Sequence, residues 1–304
     1  VTAEERCVIT MGVFDGVHRG HQALLHKARE VADSYGLPLV VLTFDPHPAS
    51  VLRPGSEPAR LMSVTRRCEA LHFHGADRVE VVRFDSSVST MTDEEFAREY
   101  FTGRNRAAAV VVGENLRFGR DAAGDVARLT ELGAELSFEG VGVTLSRDGA
   151  PWSSTRVRAA IAAGDVSGAR AILGRDPEIE GIVVTGDRRG RELGYPTANV
   201  EADDGVAMPR EGIYAGFLVA EGIPLPAAIS VGTNPHFGGQ EMRVEAYVLD
   251  RGDLDLYGNH VRLEFRSRLR DQATFPSLEK YLDQMARDVD SVRRSLADSP
   301  RSAS

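Results

Sequence analysis

Four short apolar runs in the first half of the chain, separated by amphipathic stretches, restrict the fold more than any other feature of the sequence. They are Cys7–Phe14, Leu39–Phe44, Val79–Phe84 and Ala107–Gly113. Each is small or β-branched along most of its length instead of alternating with polar residues, which is how strands of a parallel sheet covered on both faces read. Between the first two, residues 21–35 bring Leu24, Leu25, Ala28, Val31 and Ala32 to one helical face, and Gly36 stops the helix. Thr92 with Glu95 three residues on forms a capping box ahead of Phe96 and Tyr100, so another helix is predicted there. Strand, helix and strand in repetition predict an α/β domain.

The pattern then changes. Residues 154–163 and 165–173 read as two short helices ended by Gly164 and Gly174. The joint between domains is expected after them, giving residues 1–174 and 175–304. Beyond it, the runs 181–185, 212–220, 227–232, 243–249 and 260–265 read as strands separated by Gly, Pro and Asn, which predicts a small antiparallel β-barrel. Residues 277–296 space Leu278, Tyr281, Leu282, Met285, Val289, Val292 and Leu296 for one face of a terminal helix. A frayed tail is expected after it, and no internal repeat is found.

A length of 304 residues suits two such domains. The formal net charge of −9 argues against a sequence-blind nucleic-acid binder. Lysine is confined to Lys27 and Lys280, so the other 34 of the 36 basic residues are arginine, and any phosphate site must rest on Arg, His, backbone amides or a metal. Cys7 and Cys68 have no partner spacing for zinc or a disulfide framework, which fits a reducing compartment. With neither a bilayer-length apolar run nor a secretory-type amino terminus, the expectation is a cytoplasmic protein with no nucleic-acid or membrane partner. Homo-oligomerisation stays open.

Residues 12–21, GVFDGVHRGH, put His18 and His21 three apart where the loop after the first strand enters a helix. Gly16 and Gly20 permit close backbone approach, and the helix start offers free N–H groups to an anion. The reading is a phosphate cradle; an ordinary exposed turn and a metal pair lacking its third ligand are the alternatives. Residues 153–158, SSTRVR, gather Ser154, Thr155 and Arg158 in one helical turn, as suits a triphosphate, or a plain N-cap with solvated arginines. Asn115 and Phe118 in VGENLRFG follow the fourth strand at its carboxyl end, where ligands collect on open α/β sheets, and Phe44 in TFDPHP ends the second with a ring able to stack on a flat ligand.

In the second half, GDRRGRELGYPTAN (186–199) offers Gly186, Gly190 and Arg191 to phosphates, and Thr197 and Asn199 as neutral oxygen ligands for magnesium shared with a nucleotide. A hairpin turn is the plain alternative. In RVEAYVLD, Glu245 shares a face with Arg243 and Tyr247, and its carboxylate could take a proton from a hydroxyl; a solvated outward Glu is the ordinary alternative. Arg270 adds a cation that could border a ligand.

Taken in linear order, GVFDGVHRGH, TFDPHP, VGENLRFG, SSTRVR, GDRRGRELGYPTAN, VGTNPHFGG, RVEAYVLD, DLYG and RLRDQATF resemble the prokaryotic bifunctional riboflavin kinase/FMN adenylyltransferases over nearly the whole chain. PTAN is the more specific signature. The resemblance implies a Rossmann-like nucleotidyltransferase domain followed by a small antiparallel barrel with a terminal helix. It implies phosphorylation of riboflavin by ATP to FMN, then adenylylation of FMN to FAD with release of pyrophosphate, with Mg2+ and with riboflavin, FMN and ATP as ligands. By the same resemblance His18, His21, Asn115, Ser154, Thr155 and Arg158 handle ATP and pyrophosphate. Phe44, Phe118 and Arg270 neighbour the flavin, Thr197 and Asn199 hold magnesium, and Glu245 is the general base. Leu116 and His236 depart from the residues common at their positions. A flavin-binding regulator without turnover, or a chain keeping one activity, is the alternative.

Overall fold

Leu39–Asp45 (β2), Cys7–Met11 (β1) and Ala107–Gly113 (β4) are buried almost throughout because each is apolar on both faces. With Arg78–Arg83 (β3) and Glu139–Val143 (β5) they form a parallel sheet in the order β3-β2-β1-β4-β5. The coordinates, a computed structural model, describe residues 6–144, 151–185, 195–233, 242–252 and 254–297. The chain divides into two compact units, residues 1–58 with 64–152, and residues 59–63 with 153–304.

Helix α1 (Arg19–Tyr35) buries Leu24, Leu25, Ala28 and Ala32, and Gly36 ends it in the left-handed conformation. A second core gathers Ile9, Leu42 and Val110 of the sheet with Phe96, Phe101, Leu129 and Leu132. Helices α2 (Pro48–Leu52), α3 (Val64–Phe73), α4 (Ser86–Ser89), α5 (Asp93–Phe96) and α6 (Val126–Leu136) complete the unit. The Thr92–Glu95 capping box opens α5 as expected, with both reciprocal hydrogen bonds present.

One strand end and one additional strand differ from the sequence expectation for steric reasons. Strand β1 stops at Met11 because φ turns positive at Phe14 (54°), Gly16 (81°) and Val17 (37°). Strand β5 was not expected, since EGVGV holds two glycines; a Cβ on Gly142 would lie 2.6 Å from Val126 Cγ1, so α6 approaches this strand more closely than any side chain there would allow.

The second unit is a closed six-stranded barrel of order β10-β7-β6-β11-β8-β9. Its strands are Glu178–Val184 (β6), Thr197–Ala202 (β7), Gly212–Ala220 (β8), Ile223–Thr233 (β9), Met242–Val248 (β10) and His260–Arg270 (β11), with antiparallel pairing throughout. Five were expected; β7, within the PTAN segment, is the addition. The terminal helix α9 (Leu278–Ala297) lays Val289, Val292 and Leu296 against Ala215, Ala228, Tyr247, Leu249 and Leu269 outside the barrel.

The two short helices, α7 (Ser154–Ala163) and α8 (Val166–Leu173), group with the barrel and not with the sheet, contrary to a joint after residue 174. Val166 joins the barrel core, and Asp176 takes two hydrogen bonds of 3.0 Å from Arg266 on β11 while pairing with Arg170 on α8. Residues 59–63 group there too: the Arg60 N–H donates to the Gly205 carbonyl, the Arg60 carbonyl accepts from Ala207, and the Ser63 N–H donates to Glu180.

Candidate functional site

From β1 the chain winds outward one way through β2 to β3 and the other way through β4 to β5, so the loops leaving β1 and β4 diverge at the carboxyl edge. That divergence is where open α/β sheets form a ligand crevice. The loop after β1 carries the two histidines, and Asn115 stands exposed in the turn after β4.

His18 caps α1, its Nδ1 accepting the His21 N–H at 3.4 Å, which leaves the proton of the neutral ring on Nε2. The two imidazoles stack with centroids 3.6 Å apart and planes 17° from parallel, and Phe14 closes edge-on against His21 at 5.2 Å. Burial, and then the neighbouring His18, hold the pKa of His21 well below the usual histidine value, so its ring is neutral at pH 7. Its Nδ1 is buried without a hydrogen-bond partner. A buried polar atom left unsatisfied beside a helix N-terminus is suited to an incoming ligand group. Gly20 leaves the stack its room, since a Cβ there would lie 3.1 Å from His18 Cε1 and 3.5 Å from Trp152 Cβ and the His18 ring would have to give by a few tenths of an ångström.

The aromatic candidates sit differently from expectation. Phe44 is edge-on to Phe84 at 5.7 Å, and Phe118 packs 6.3 Å from both Phe96 and Phe101; both belong to the buried core. Gly124 admits the Phe118 ring, since a Cβ there would come within 2.6 Å of it. Stacking on a flat ligand would require one of these rings to release a packed face.

Ser153, one residue before the candidate serine, is the cap of α7, accepting the Arg156 N–H at 3.3 Å. Ser154 and Thr155 occupy the first turn, and Arg158 donates from Nε to the Ala59 carbonyl; all three belong to the second unit.

In the barrel, β7 and β10 pair so that Glu245 opposes Asn199 and Tyr247 opposes Thr197. Val200, Val244, Ala246 and Val248 fill the barrel core. Strict alternation therefore turns Thr197, Asn199, Glu245 and Tyr247 outward together. The Thr197 hydroxyl donates to a Glu245 carboxylate oxygen at 3.5 Å, and Tyr195 meets Tyr247 edge-on at 5.2 Å. On the other flank Ser230 of β9 opposes Glu245, and the Gln272 amide donates to the Ser230 hydroxyl at 2.9 Å and the Val231 carbonyl at 3.1 Å. Burial, reinforced by the charge of Glu245, raises the pKa of Tyr281 on α9, while Arg270 opposes the shift.

Arg270 is committed to the helix. Its guanidinium holds Asp288 by contacts of 2.6, 3.0 and 3.1 Å and lies over Phe275 at 5.9 Å, docking α9 onto β11. Tyr281, read from spacing as a packing residue, and Gln272 and Ser230, not singled out at all, are the residues the sequence left unmarked here; only the shared face of β10 pointed toward them. Gly186, Gly190, Arg191 and His236 lie outside the described residues. Among the described residues no group of three or more His, Cys, Asp or Glu side chains could hold a metal, so a cation at the barrel site would depend on neutral oxygen donors and its ligand's phosphates.

The FAD synthetase family model matches residues 1–156, and the riboflavin kinase family model residues 173–296. The chain is 37% identical over 287 residues to the bifunctional riboflavin kinase/FMN adenylyltransferase of Escherichia coli K12, covering 94% of this chain and 91% of that one. It is 34% identical to the protein of the same description from Pseudomonas fluorescens, over 96% of this chain and 94% of that one. A solved structure described as a macrolide-efflux protein from Streptococcus pneumoniae is similar with a TM-score of 0.87 and 31% identity, over 96% of this chain and 95% of that one. That description belongs to that protein. Among the described residues here, no helix is long and apolar enough to cross a membrane.

Proposed function

The chain belongs to the bifunctional riboflavin kinase/FMN adenylyltransferase family, and on that premise we propose how its residues divide two ATP-dependent steps between two sites. It phosphorylates riboflavin to FMN and adenylylates FMN to FAD. The observation that carries the division is that each unit holds its own chemistry, stacked histidines at the switch point of the sheet and a Thr–Glu pair on the barrel wall.

In the kinase step Glu245 takes the proton of the ribityl 5′-hydroxyl as that oxygen bonds to the γ-phosphorus of ATP and ADP leaves. The hydroxyl of Thr197, the amide oxygen of Asn199 and the adjacent carboxylate are hard oxygen donors on one face, the donor chemistry that suits magnesium. Thr197 and Asn199 would hold the ion, which when bound neutralises charge on the triphosphate. For Gly186, Gly190 and Arg191 the proposed role, phosphate binding in this step, is read from the sequence alone.

In the adenylyl step an FMN phosphate oxygen bonds to the α-phosphorus of ATP and pyrophosphate leaves. That phosphate is already anionic at pH 7, so no general base is needed. His18 and His21, with the amides at the start of α1 and the close approach allowed by Gly16 and Gly20, stabilise charge on the α-phosphate and the leaving group. Asn115, exposed after β4, is the further ATP-binding residue of this unit; for Ser154, Thr155 and Arg158, which group with the barrel, a part in handling ATP and pyrophosphate is what the family resemblance implies. Phe44 and Phe118 are the flavin neighbours that the resemblance implies, a role that requires each ring to release a packed face of the core.

A chromatographic time course of riboflavin, FMN and FAD with ATP and magnesium tests the whole scheme. FMN should rise before FAD. Tight flavin binding without either product would sink the reading in favour of a binding protein.

Gly20→Ala probes the histidine stack directly. Alanine in a helix is favoured over glycine by about 1 kcal/mol, so folding should survive. The methyl group nevertheless displaces the His18 ring, and FAD formation should fall by about 10–100-fold with FMN formation unchanged. Steady-state rates with a thermal melt read both; undiminished FAD formation would show that the stack does not matter.

A further inference from the structure

Arg67 of α3 is buried, and its guanidinium spans two strand ends. Nη1 donates to the Val13 carbonyl at 2.9 Å and Nη2 to the Phe44 carbonyl at 3.0 Å. Thr43, fully buried on β2, donates its hydroxyl to the same Val13 carbonyl at 3.0 Å. Both lone pairs of that carbonyl are thus engaged. Val13 is the residue just before the left-handed stretch Phe14, Gly16 and Val17, which includes a β-branched residue at a positive φ that such residues avoid. A backbone of this kind persists only where its surroundings over-determine it. The loop is also tied by the Gly12 N–H to the Leu42 carbonyl at 3.1 Å, by Val17 donating to the Phe14 carbonyl, and by the Gln22 amide donating to the Val17 carbonyl. Phe14, next to the anchored carbonyl, is fully buried and lies edge-on to His21, which stacks on His18.

We propose that Arg67, with Thr43, is a positioning residue for adenylyl transfer, clamping the loop after β1 to the end of β2 and thereby fixing the two histidines. This rests on the histidines acting in FAD formation as read above. The two-pronged contact needs a planar fork; a lysine in its place offers one compact head and cannot hold two carbonyls from separate strands in the same way. Thr43 supplies the second, independent tie.

Thr43→Val is nearly isosteric and removes only the hydroxyl, while Arg67→Lys keeps the charge and removes the fork. With wild type, Thr43→Ser and His21→Ala assayed beside them, kcat for FAD formation from supplied FMN should fall about 10-fold in Thr43→Val and about 100-fold in Arg67→Lys. KM for ATP should change less than kcat, Thr43→Ser should restore the rate, and riboflavin phosphorylation should stay at the wild-type level. If Arg67→Lys does not fold, Thr43→Val with its serine rescue decides. Wild-type kcat in the folded variants, a rise in KM alone, or an equal fall in both activities overturns the proposal. Should His21→Ala also keep making FAD, the histidine reading itself has failed; should it alone lose FAD formation, only the clamp has.

Discussion

Glu245→Gln is expected to lower FMN formation from riboflavin by about 10²–10⁴-fold, the range for loss of a general base, while FAD formation from supplied FMN proceeds at the wild-type rate. The amide is isosteric and can still accept from the Thr197 hydroxyl, so the wall formed by β7 and β10 should be preserved. What it cannot do is receive the 5′-hydroxyl proton. The substitution also removes a negative charge beside Tyr281, whose phenol then keeps the upward shift from burial, Asp288 and Tyr195, offset by Arg270. Product chromatography with each substrate supplied separately checks the result. An unchanged rate of FMN formation would remove the base role from Glu245.

His21→Ala is expected to reduce FAD formation by about 10²–10³-fold, the effect of deleting one preorganised group that stabilises transition-state charge, with FMN formation spared. The ring fills the space between His18 and Phe14, so its removal takes away both a polar group and the partner of the stack. Acid stability should change as well. The folded protein binds a proton on His21 only well below the ordinary value, whereas the unfolded chain binds one near pH 6.5. The neutral ring's contribution is therefore complete above about pH 6.5 and is lost as the pH falls below it, and the alanine variant should lack that part of the acid dependence. Loss of both activities in a folded variant would contradict two separate sites.

Continuous apolar runs such as AAAVVVG can be read directly as buried parallel strands, and the structure keeps Ala107–Gly113 unchanged. Glycine hid β5, because its sequence carries the helix–sheet distance instead of a strand preference. The alternation in TANVEA was present, but alanine and asparagine are weak strand formers and the glycines before it suggested a turn. At the sites, residues whose chemistry depends on neighbours in sequence or register were legible: His18 with His21, and Glu245 on the face of Tyr247. Arg270 reads in the sequence as a cation that could border a ligand, because nothing local announces Asp288, eighteen positions away on another element. Phe44 and Phe118 look the same in sequence whether a ring faces a ligand or a core. Arg67 was invisible for the same reason, since its partners are backbone carbonyls brought to it only by the fold.

Residues 59–63 leave one unit, add a short bridge to the other at Gly205 and Ala207, and return before residue 64. Neither unit is thus a contiguous stretch of gene. A single cut after residue 152 would leave the first fragment carrying a peptide stripped of its pairing groups, and the second with the Gly205 carbonyl and the Ala207 amide open to solvent. An exchange of the barrel for another domain would part this five-residue stitch from its partners unless the stitch moved with it.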